Sequence, residues 1–230
     1  MRDLNRRLRA RHDDESGIGL IELLVASLIG LILMAAVGAA FIQTGKVTNM
    51  TIQNRSSTGS ASNAMQEINE VIRLATPITV AGQQQATPAI YSATTTKLVI
   101  YSLVDVTDPS NPAPSRVTLD TTSGSLVDSR CQGVLTNGFW TFTTCASTST
   151  RNIAGTFVAP TGSQYPLFTY LSGSGAQLPL SSGVLPSTSY GSVGSIIVGV
   201  NLRAPGAKTS PVYLESKTGM PNVGLQVETP

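Results

Sequence analysis

Residues 17–42 read GIGLIELLVASLIGLILMAAVGAAFI, and Glu22 is their only charge. From Leu23 to Ile42 there is neither a charge nor a proline, a run about as long as a membrane-spanning helix requires. A chain with such a segment has to place it in lipid or among other helices, and this constrains everything around it. Small residues at Ala26, Gly30 and Gly38 let neighbouring helices approach closely. An ionised carboxylate is expensive in lipid, so Glu22 needs a reason to be where it is.

The preceding segment is hydrophilic. It carries Arg2, Arg6, Arg7, Arg9 and Arg11, then Asp13, Asp14 and Glu15. Basic residues ahead of an apolar span stay in the cytoplasm, which puts everything after Ile42 outside it. Two simple readings fit charge and length alone. One is a cleaved secretory signal with a small-residue cut near Gly38 and Ala40, for which the apolar run is too long. The other is a plain signal anchor, which leaves Glu22 out of place.

A third reading accounts for Glu22. The hexapeptide Gly17-Ile18-Gly19-Leu20-Ile21-Glu22 closely resembles the prepilin cleavage motif of type IV pilins and type II secretion pseudopilins: a glycine, a cut, an apolar residue, and glutamate fifth after the cut. Ile18 stands where phenylalanine or methionine is usual, and Gly19 where threonine is common. The resemblance is specific over about the first 45 residues and loose beyond them. It implies a leader, residues 1–17, removed after Gly17 by a prepilin peptidase that also methylates the Ile18 amine. It further implies a helix held in membrane lipid until an inner-membrane assembly platform extracts it into a filament. There Glu22 pairs with the Ile18 amine of a neighbouring pilin or pseudopilin subunit. A buried carboxylate or amine without a partner costs several kcal/mol, so the pair also sets register.

The remaining composition excludes more than it assigns. The 230 residues allow one domain plus a helical stalk, at a net charge of +2. Removing residues 1–17 takes away five basic and four acidic residues, leaving +1. No specific nucleic-acid site and no general electrostatic footprint for one is evident. His12, the sole histidine, lies in the leader. The mature chain is thus without Ser-His-Asp or Cys-His chemistry and without a histidine metal site, so no enzyme, metal or cofactor is expected. Asp105, Asp108 and Asp120 offer oxygen ligands, but DVTDPSNP lacks the alternating acids and glycine of a calcium loop, and a solvated loop is the simpler reading.

Two cysteines outside the cytoplasm favour a disulfide, here Cys131–Cys145; a reactive thiol pair is the alternative. Asn137-Gly138 between them is a strong hairpin signal. A three-residue loop centred on Gly138 would set the two cysteines opposite each other as a cross-strand pair. In this hairpin, alternation puts Phe139 and Thr141 on one face and Trp140 and Phe142 on the other. One face is expected in the core, unless Trp140 is an exposed contact near the tip.

Downstream of the span, Ala61, Ala64, Met65, Ile68, Val71, Ile72 and Ala75 recur at helical spacing and predict an apolar stripe against a sheet. Gln66, Glu67, Glu70 and Arg73 fall on the opposite, polar face. Weak helix formers at Ser56, Ser57, Thr58, Gly59 and Ser60 predict either a bend or melted turn there, or an unbroken helix held by packing. Pro77 ends the helix. Strand candidates follow at 89–91, 97–103, 116–119, 125–127, 156–158, 166–171, 195–202, 212–214 and 223–227, with a long Ser/Gly/Pro-rich connection at 172–194.

One long helix followed by many strands predicts an α+β fold: a helix over 18–76, its part 18–42 in membrane or filament core, and an extracytoplasmic antiparallel β-sheet head over 77–230. The aromatic strand PLFTYL, the strand SIIVGVNL and a final short pair resemble the larger minor pilins, the W-type of pili or the J-type of pseudopilins. The expected protein is a non-enzymatic minor pilin at the cell surface. A type II secretion pseudopilin and an anchored binding protein that never polymerises are the alternatives.

Overall fold

A computed structural model of the chain describes residues 19–82, 86–104, 112–121, 124–145, 148–203 and 210–223. The leader, Gly17 and Ile18, the loop acids Asp105 and Asp108, and most of the expected strand at 223–227 lie outside the described residues. The chain divides into two compact units, Met1–Thr51 and Ile52–Pro230, and helix α1 (Leu20–Arg73) contributes to both.

In the first unit, from Leu23 to Ile42, α1 is apolar on every side. Leu20, Leu23, Leu24, Leu28, Leu31 and Met34 are all exposed, and so are Val37, Phe41 and Ile42. A helix of this kind is stable only when lipid or other helices surround it. It is the one helix among the described residues long and apolar enough to cross a membrane. Ser27 and Thr44 donate to the carbonyls of Leu23 and Ala40, at 2.7 and 2.9 Å. Such back-bonding leaves no free donor in an apolar setting.

In the second unit α1 stays helical through Ser56–Ser60, without a melted turn. Two causes offset the poor local propensity. Ser57 and Thr58 donate to the carbonyls of Gln53 and Asn54, and Ser57 is fully buried at the start of the apolar stripe. Tertiary packing outweighs propensity here. The whole predicted stripe, Ala61 to Ala75, is buried. It shares one core with Leu98, Ile100, Val117, Leu119, Leu126, Ile196, Val198 and Val200 of the sheet. The helix ends at Arg73, ahead of Pro77, because the next residues turn to pair with the sheet. The Thr76 N–H donates to the Tyr101 carbonyl and the Leu103 N–H to that of Leu74. The Ser102 hydroxyl caps the free Val71 carbonyl of the last turn at 2.9 Å.

The main sheet has eight antiparallel strands in the order β1 (Ile90–Ala93), β2 (Lys97–Ser102), β3 (Ser115–Asp120), β4 (Ser125–Gln132), β7 (Thr148–Phe157), β9 (Val193–Arg203) and β10 (Val212–Gly219), with β8 (Phe168–Ser172) also on β9. One helix on one antiparallel sheet makes this an α+β fold. β5 (Val134–Thr136) and β6 (Phe139–Thr141) form a separate hairpin. The long connection before β9 contains a short 3-10 helix, Ser187–Ser192. The expected strand at 212–214 is longer than its sequence signal: β10 pairs with β9 from Val212 opposite Leu202 to Gly219 opposite Ser195.

Candidate functional site

Three groups of side chains combine chemistry with position. The first is the start of α1. Gly19 caps the helix, with its carbonyl accepting from the N–H groups of Glu22 and Leu23 at 2.9 and 3.2 Å. The Gly19 N–H in turn donates to Glu22 Oε2 at 3.3 Å. This is the carboxylate half of a capping box, with glycine in place of serine or threonine at the cap. The first-turn position also sets the acid against the positive end of the helix dipole. Glu22 is therefore held against Gly19, the residue directly before the helix. The spacing Gly19-x-x-Glu22 carried that signal in the sequence. Gly17 and Ile18, the expected cleavage and methylation residues, lie outside the described residues.

The second group joins α1 to the sheet inside the second unit. Glu67 pairs with both Arg130 of β4 and Arg151 of β7. Both arginines also reach Asp128 of β4. Arg130 Nε donates to Asp128 Oδ2 at 2.9 Å, and Arg151 Nε and Nη2 donate to the same oxygen at 3.3 and 3.2 Å. Asp128 is fully buried, and its Oδ1 has no hydrogen-bond partner among the described residues. Glu67 was expected on the solvated face with Gln66, Glu70 and Arg73. Those three are exposed, but Glu67 is turned to the sheet. Periodicity marks apolar positions and is blind to an acid whose arginine partners come from distant strands.

The third group surrounds the disulfide. Cys131 and Cys145 are bonded, with Cα atoms 5.3 Å apart. The bond is as expected but the pairing is not. The hairpin closes on two residues, with Val134 opposite Thr141 and Thr136 opposite Phe139. Asn137 and Gly138 both have positive φ, 51° and 82°, the type I′ geometry that matches strand twist. Cys131 lies outside this ladder, in β4 between Arg116 and Thr148, and Cys145 follows β6 in a loop. The disulfide thus staples the base of the hairpin to the main sheet. Phe142 is buried and Trp140 packs beside it, with Ile78, Tyr101 and Cys131, in a second small core; Phe139 faces outward. The Trp140 N–H donates to the Thr79 carbonyl and the Ala81 N–H to the Trp140 carbonyl, so the hairpin also holds the segment that leaves α1. Arg116 lies over the rings of Tyr91 and Phe142, 5.8 and 5.7 Å from their centroids, and donates to the Phe142 carbonyl. Burial pushes the Tyr101 hydroxyl above its ordinary pKa, nearby Arg116 lowers it in part, and Tyr91 adds a smaller rise.

None of these groups sets a nucleophile beside a base. Among the described residues no three His, Cys, Asp or Glu side chains gather as metal ligands. Asp120, the one described acid of the calcium alternative, pairs with Lys97 at 3.5 Å. No protein-family model matches the chain, and no curated protein matches it.

Proposed function

We propose that the chain is a structural subunit of a type IV pilus-like filament, most like a minor pilin, cut after Gly17 and methylated on Ile18. One observation carries this reading: the motif Gly17 to Glu22 runs directly into a helix that is apolar all round and then continues as the core-forming helix of a sheet unit. A signal anchor needs the span but neither the acid nor the glycine before it. A type II secretion pseudopilin shares every feature and is the alternative within the family. The partners are other pilin or pseudopilin subunits, a prepilin peptidase, an inner-membrane assembly platform, and lipid before assembly. The role is non-enzymatic: outside the leader the chain has no histidine.

Glu22 accepts from its own Gly19 in the isolated chain, and in the filament it takes the charged Ile18 amine of a neighbour. Glu22→Ala removes both partners, whereas Glu22→Gln keeps an acceptor for Gly19 and removes only the charge. Both variants should be cleaved and inserted, and both should fail to leave the membrane, because an unpaired buried amine costs several kcal/mol. The measurement is processed protein in sheared filaments relative to membranes. Entry of Glu22→Gln at the wild-type level would reduce Glu22 to a helix cap. Entry of both would leave Glu22 no part in assembly, neither as charge nor as cap.

A further inference from the structure

We infer that Asn137-Gly138 is a self-modification site, at which the Gly138 nitrogen attacks the Asn137 side chain and converts it to aspartyl and isoaspartyl products. The reaction needs three things, and the hairpin tip supplies each. The attacking nitrogen has to be free. The Gly138 N–H makes no hydrogen bond among the described residues. It has to be unhindered. Glycine has no Cβ, and beyond its two chain neighbours no heavy atom lies within 4 Å of where one would stand. The side-chain amide has to be free to swing onto it. Asn137 is exposed, and no hydrogen bond holds its side chain among the described residues.

The chemistry balances with water alone. The Gly138 nitrogen forms a bond to Asn137 Cγ and gives up its proton, ammonia leaves, and a five-membered succinimide results. Water then opens either carbonyl of the ring, giving aspartate or its β-linked isomer. Nothing is oxidised or reduced, and one negative charge is gained.

The site is singular in this chain. Asn137 is the only asparagine followed by glycine. The other described asparagines precede larger residues and lie mostly in regular structure. Asn49, Asn54, Asn63 and Asn69 are in α1, Asn152 and Asn201 in strands, and Asn222, in a turn, precedes the β-branched Val223. Three of these are also held: Asn69 by Ser216 and Thr218, Asn152 by the Ala154 N–H, and Asn201 by contacts to Ala159 and Gln164.

The product matters because of where it forms. A β-linked residue adds one backbone carbon to a two-residue turn whose two positive φ values set the Thr136–Phe139 register, so the turn has to reshape. The disulfide and the two hydrogen bonds to Thr79 and Ala81 keep the hairpin attached. The outcome is a folded protein with a remodelled, more acidic tip, whose amount records the age of the molecule.

The test is ageing of the full chain in detergent at mildly alkaline pH, with a urea-unfolded sample alongside, followed by peptide mass mapping and enzymatic methyl labelling of isoaspartate. Folded Asn137 should convert at a rate of the same order as in the unfolded chain, while Asn63, Asn69, Asn152 and Asn201 stay intact. Gly138→Ala should slow conversion several-fold by hindering the nitrogen. An Asn137 intact in the folded sample, whether or not the unfolded one converts, would overturn the proposal. Equal conversion at the other asparagines, or no slowing in Gly138→Ala, would overturn it too.

Discussion

Replacing Asp128 by alanine probes how the helix is held to the sheet. The carboxylate is fully buried and takes both Arg130 and Arg151. Removing one partner of a buried ion pair costs roughly 3–5 kcal/mol, because the other charge stays buried. Two features reduce this. The orphaned Oδ1 disappears with the carboxylate, returning about 1 kcal/mol. Glu67 also remains as a partner for Arg130, whose side chain is only 12% exposed. The expected loss is about 2–3 kcal/mol. Arg151 is the opposite case. Its side chain is 49% exposed, and deleting it leaves Asp128 and Glu67 with Arg130, so Arg151→Ala should cost no more than about 1 kcal/mol. The assay is urea unfolding of the full chain in detergent, followed by fluorescence of Trp140, the only tryptophan. A loss below about 0.5 kcal/mol for Asp128→Ala, or a larger loss for Arg151→Ala, would refute this ranking.

Two further perturbations address the head. Cys131→Ser with Cys145→Ser opens a ring of about 15 residues and should cost about 3 kcal/mol; thiol labelling of the unfolded, unreduced wild-type chain should find no free thiol, and two labelled thiols would contradict the bond. Tyr170 is fully buried, and its hydroxyl donates to the Thr94 carbonyl at 2.7 Å. Desolvation raises its pKa well above the ordinary value, with a smaller rise from Tyr190. The folded state thus keeps a proton that the unfolded chain releases near pH ~10. Its stabilisation is full below that pH and is lost as pH rises further. Tyr170→Phe should cost about 1 kcal/mol at neutral pH through the lost hydrogen bond and should flatten the alkaline decline. Parallel stability curves from neutral to strongly alkaline pH would contradict this.

The helix was the most legible part of the chain, because its signals are periodic and local. Ala61 to Ala75 mark one face by spacing alone, and all seven residues are buried. What spacing does not encode is a polar partner distant in sequence. Glu67 meets Arg130 and Arg151 only after β4 and β7 are paired, so it read as a solvated residue. The same blindness shortened β7. Thr148 to Asn152 is polar and shows no alternation, because all five residues are exposed, and a bulge breaks the register with β4. The hairpin failed by one residue: Asn137-Gly138 located the turn, but the symmetry of the cysteines about Gly138 implied a longer loop. Type I′ geometry fixes a two-residue loop, and the disulfide then forms from β4 to a loop rather than across the ladder. Gly199 is a glycine inside a strand, a pattern that marks close backbone approach. A Cβ there would stand 2.5 Å from the Tyr165 carbonyl oxygen, a neighbour the sequence does not reveal.

The claim that the chain is a processed filament subunit rests on Gly17 and Ile18, and the amino terminus of the protein recovered from cells tests it directly. Mass analysis of the N-terminal peptide should find a chain that begins at Ile18 and carries one methyl group on its amine, and Gly17→Ala should leave the leader in place. A surface-exposed protein that still begins at Met1 or Arg2, or one cut near Gly38 and Ala40, would contradict the account.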